Sequence, residues 1–100
     1  MPTRFIPKEI LDLIKPQQVC DYAIANGWQI VPNVNGCIFL FNHPKGQYDQ
    51  LIVPMDDSMD DYSRRIRDLV EILADFESRP VLQILNDMCG KDFLEKIVAF

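Results

Sequence analysis

The apolar positions of the chain repeat first at helical spacing, then at strand spacing, then at helical spacing again. Residues 1–27 belong to the first regime. Pro7 can open a short helix whose apolar stripe is Ile10, Leu11 and Ile14, and Pro16 opens a second through Val19, Cys20, Ala23 and Ile24. Asn26-Gly27 supplies the left-handed stop expected just past a helix C-terminus.

Residues 28–54 read as strands. Trp28 to Val31 is a short β segment, Asn35-Gly36 is a dipeptide favoured in type I′ hairpin turns, and Cys37 to Phe41 is an unbroken apolar run. Cys37, Phe39 and Phe41 point one way and Ile38 and Leu40 the other, so this central strand is expected to be covered on both faces. His43-Pro44-Lys45-Gly46 is the next turn, and Tyr48 to Val53 is a third strand that stops at Pro54. The economical arrangement is a three-stranded antiparallel meander.

Residues 58–100 return to helix. Ser58 and Asp61 form a capping-box-like pair, and Met59, Tyr62, Ile66, Leu69, Leu73 and Phe76 then recur every three or four residues, with Val70 and Ile72 widening the stripe. This predicts a long helix from Met59 to Glu77. Its polar side places Asp60 with Arg64, Asp61 with Arg65, Arg64 with Asp68, Arg67 with Glu71 and Asp75 with Arg79, each four residues apart. Pro80 restarts the chain as a first helical residue, with Val81, Leu82, Leu85 and Met88 as the stripe up to Gly90. Asp92 with Glu95 caps a last helix through Phe93, Leu94, Ile97 and Val98. The expected fold is one α+β domain over residues 1–100: a three-stranded antiparallel sheet with the N-terminal helices on one face and the long helix on the other, followed by two short helices.

Composition agrees with one compact domain: 100 residues, 48% hydrophobic and 25% charged, suit a single modest core without disulfide staples. No stretch approaches the roughly 18 apolar residues of a membrane span and Met1 to Arg4 lead into no long apolar signal core, so a cytoplasmic address without membrane attachment is expected. The net charge of −5 lies entirely in residues 51–100, which carry eleven acidic and six basic side chains against four of each in residues 1–50. A domain of that sign is a poor candidate for broad nucleic-acid contact, which depends on counterion release by clustered Lys and Arg. Cys20, Cys37 and Cys89 are odd in number and sit among apolar neighbours, as buried thiols in a reducing compartment do. With His43 they match no familiar zinc spacing, and neither metal nor cofactor is expected.

The candidates for chemistry are few. His43 is the one imidazole: either an acid or base at the mouth of the hairpin, or a solvated turn residue before proline, the second being the expected role. Ser58 and Ser63 have no histidine near them in sequence, which leaves no nucleophilic triad. Asp56, Asp57, Asp60 and Asp61 could hold Mg²⁺, but helix capping explains them more simply. Arg64, Arg65 and Arg67 are the candidate contacts for a phosphate or an acidic partner, weighed against a solvated, ion-paired helix face.

The stretch from Gly27 to Asp56 resembles the HicA-type mRNA interferase toxins of bacterial toxin–antitoxin pairs. Those are small proteins with a fold like the double-stranded-RNA-binding domain. The residues concerned are Gly27 and Trp28, then Gly36-Cys37-Ile38-Phe39-Leu40-Phe41-Asn42-His43-Pro44, then Val53-Pro54. The family pattern is of the form G-S-H-x-x-Y-x-H-P, so its catalytic histidine falls on Ile38 and its serine on Cys37. An alkyl group cannot serve as general acid or base, and RNA cleavage of that type is expected to be absent. The remainder resembles small bacterial proteins with V-P-x-D, D-Y-x-x-R and F-E-x-R patterns, here Val53-Pro54-Met55-Asp56, Asp61-Tyr62-Ser63-Arg64-Arg65 and Phe76-Glu77-Ser78-Arg79.

The expectation from the chain alone is therefore a non-catalytic interaction or regulatory module. It would act as a homodimer or with a protein partner, the apolar tail Val98-Ala99-Phe100 inviting association. Two alternatives stand beside it: an RNA-binding protein or ribonuclease that uses His43 and the arginines, and a ribbon-helix-helix-like DNA binder built on residues 48–89. The long first helix and the lack of outward basic residues on the strand weigh against the second.

Overall fold

The computed structural model describes residues 6–32 and 38–99; the expected Asn35-Gly36 turn, Cys37 and the terminal Phe100 lie outside them. The elements run α1 (Lys8–Leu11), α2 (Pro16–Ala25), β1 (Gln29–Ile30), β2 (Ile38–His43), β3 (Gly46–Pro54), α3 (Tyr62–Glu77), α4 (Val81–Cys89) and α5 (Lys91–Ala99). The architecture is α+β, with an antiparallel sheet in the order β1-β2-β3.

Proline and glycine act close to where the sequence places them. Pro16 is the first residue of α2, while Pro7 and Pro80 stand one residue ahead of α1 and α4 as caps with extended backbone. Gly27, at φ +90°, turns the chain out of α2, and the N–H of Trp28 reaches back to the Ala23 carbonyl at 3.0 Å. At the end of α3 the left-handed residue is Ser78, at φ 54° and ψ 44°, with the Arg79 N–H on the Ala74 carbonyl at 3.0 Å.

Three local expectations are corrected. The Ser58–Asp61 capping box does not form: the Ser58 N–H and hydroxyl both bond Oδ1 of Asp56, at 2.9 and 2.6 Å, and α3 begins at Tyr62 behind Asp61. Ser58 closes a local turn because Asp56 is nearer to it than the helix end is. Met59 then falls outside the helix and is 37% exposed. Asp92 lies within the first turn of α5, favourably placed against the helix dipole, and is not its cap.

The larger correction concerns the sheet. Phe41 pairs with Leu51 and Phe39 with Val53, and Phe41, Leu51 and Val53 are wholly buried. Leu40 and its partner Ile52 point the other way, and Ile52 is 45% exposed. The helices also pack on one another, α1 on α3, α2 on α4 and α3 on α4, and share one core with the buried sheet face. All therefore lie on the same side, and the long helix does not cover the opposite face. The meander has only one fully apolar face, so burying it against a single helical layer satisfies the fold.

Candidate functional site

His43 ends β2, where the register between β2 and β3 shifts. Its Nδ1 accepts the Lys45 N–H at 3.1 Å, which leaves the ring proton on Nε2 to be donated to the Asn26 carbonyl at 3.2 Å. The ring packs edge-on to Trp28, with centroids 5.1 Å apart, and tilted against Phe76 at 4.6 Å. Both nitrogens are committed to backbone groups, so the imidazole closes the β2–β3 turn and ties it to the C-terminus of α2. Ile38, on the position that the toxin resemblance makes catalytic, is a half-buried residue opposite Pro54.

The three arginines of α3 do not form a patch. Arg65 donates from Nε to Oδ2 of Asp61 at 2.8 Å, Arg64 approaches the same oxygen at 3.7 Å with its side chain 73% exposed, and Arg67 turns inward to the Ile6 carbonyl at 3.2 Å. Arg67 Nε is buried without a hydrogen-bond partner. The Asp61–Arg65 pair agrees with the sequence. Arg79, expected to meet Asp75, instead pairs with Glu77 at 2.9 Å and with Asp87.

That displacement exposes a network the sequence did not predict. The Tyr22 hydroxyl donates to Glu77 (2.8 Å to Oε2, 3.0 Å to Oε1) across 55 residues of chain, Arg79 Nη1 donates to Glu77 Oε1, Arg79 Nη2 reaches Asp87 and Arg79 Nε donates to Gln83 Oε1 at 3.2 Å. Burial, and then the Glu77 carboxylate, push the Tyr22 phenol far above its ordinary range. The F-E-x-R pattern was its one visible signal. Phe76 meets Trp28 and His43, Glu77 takes Tyr22, Ser78 supplies the left-handed turn and Arg79 clamps α4.

The acidic run is dispersed in the same way. Asp56 accepts from Ser58, which lowers its carboxyl, Asp57 pairs with Lys15 at 2.8 Å, and Asp61 takes Arg65, whose hydrogen bond holds that carboxyl low. No group of three or more His, Cys, Asp or Glu among the described residues could hold a metal ion. Cys20 is buried and Cys89 half-buried; burial raises both thiols, Cys89 to about 11.

Among the described residues, β3 is an edge strand with no neighbouring strand on its outer side. The Val31 N–H donates to the Leu40 carbonyl at 2.8 Å, so the backbone of Leu40 faces β1 and that of Phe39 and Phe41 faces β3. Their partners Val53 and Leu51 spend their N–H and C=O groups on β2, and the alternation turns those of Gln50 and Ile52 outward. Pro54, the next outward position, has no N–H. Beside this edge runs a groove of about 220 Å³, walled by Gln50 and Ile52 from the strand and by Arg65, Asp68, Leu69 and Ile72 from α3. Between Gln50 and Val53 the edge carries no charged or proline residue, the usual protections of an exposed strand.

No family model matches the chain, and none of the curated proteins or solved structures compared with it matches either. Among the described residues no helix is long and apolar enough to cross a membrane.

Proposed function

We propose that this chain is a non-catalytic protein–protein interaction module with a regulatory use, related in fold to the proteins of bacterial toxin–antitoxin pairs. The kinship rests on the motif spacing between Gly27 and Asp56 and on the order α2, β1 to β3, α3. The observation that carries the interaction reading is the β3 edge: outward N–H and C=O groups from Gln50 and Ile52, set against a largely apolar groove. That combination accepts an extended segment as an added strand, with main-chain bonds giving affinity and the groove selecting side chains.

The commitment of both His43 nitrogens weighs against ribonuclease chemistry, and the diverging arginines weigh against phosphate contact. The lack of basic residues from Gln50 to Pro54 does the same for strand-mediated DNA reading. Two experiments test the proposal. Purified chain incubated with RNA at low salt should leave it intact; cleavage that disappears in His43→Ala would overturn the reading. In a pull-down from bacterial lysate, the native chain should retain a protein that Gln50→Pro does not, because proline there removes an outward N–H while leaving the β2 ladder whole.

A further inference from the structure

We draw no further inference here: the strongest candidate, the groove of about 220 Å³ between the outer edge of β3 and α3, belongs to the site already described, and nothing in the structure shows what covers it.

Discussion

Nε2 of His43 stands 3.2 Å from the point a Cβ on Gly27 would occupy, and Gly27 itself is held at φ +90°. The glycine is thus required twice, by a backbone conformation that side chains disfavour and by the ring packed over it. Gly27→Ala should cost about 1–3 kcal/mol, read as a lower urea midpoint at unchanged slope.

His43→Ala removes the bonds to Asn26 and Lys45 and the ring that packs against both Trp28 and Phe76. The expected loss is about 1–3 kcal/mol of stability. Equilibrium unfolding decides it: a variant as stable as the native chain would show that the clamp is idle.

The Arg79 guanidinium engages Glu77, Asp87 and Gln83 from three different nitrogens. A lysine has one ammonium and cannot span them, so Arg79→Lys should destabilise nearly as much as Arg79→Ala, about 1–2 kcal/mol given the partial exposure of the group. Tyr22→Phe should cost about 1 kcal/mol by removing one donor from Glu77. Thermal midpoints of the three variants test the ranking.

Alkaline pH should unfold the protein from a predictable point. Burial raises Cys89 from 9.0 to about 11, and raises the phenols of Tyr62 and Tyr22 well above their ordinary 10.0. Above those ordinary values the unfolded chain has lost protons that the native state still holds, so unfolding is favoured as pH rises. The stability these groups contribute is whole below about pH 9 and declines through the range above it, by up to about 1.4 kcal/mol per pH unit for each buried phenol. Urea midpoints measured between neutral pH and pH 11 should be level first and then fall, more gently in Tyr22→Phe.

The raised, shielded thiols of Cys20 and Cys89 should react slowly in the native state. Alkylation by iodoacetamide at neutral pH, followed by peptide mass spectrometry, should modify both at least about tenfold faster in denaturant than in buffer. Equal rates would mean that neither site is protected by the fold.

The elements were legible because their signals are local. Pro16 and Gly27 bound α2 through their own φ angles, Pro80 precedes α4 for the same reason, and the three-four spacing from Tyr62 to Phe76 belongs to α3 whatever surrounds it. The meander and the burial of Cys20 followed from the same kind of signal, whereas Cys89 is only half-buried and Cys37 lies outside the described residues. The capping box at Ser58 was misread because two short-range partners compete for one serine, and sequence spacing does not say which is closer.

The sequence by itself determined the helices, the strands and the α+β class. Only the tertiary structure decided that α2 and the long helix α3 share one core with the buried face of the sheet, that Arg79 turns from Asp75 to Glu77 and Asp87, that both nitrogens of His43 are consumed, and that Gln50 and Ile52 face outward beside α3. Each of these relations joins residues distant in the chain. Periodicity and turn chemistry act over a few residues, whereas packing chooses among all the partners that folding brings within reach.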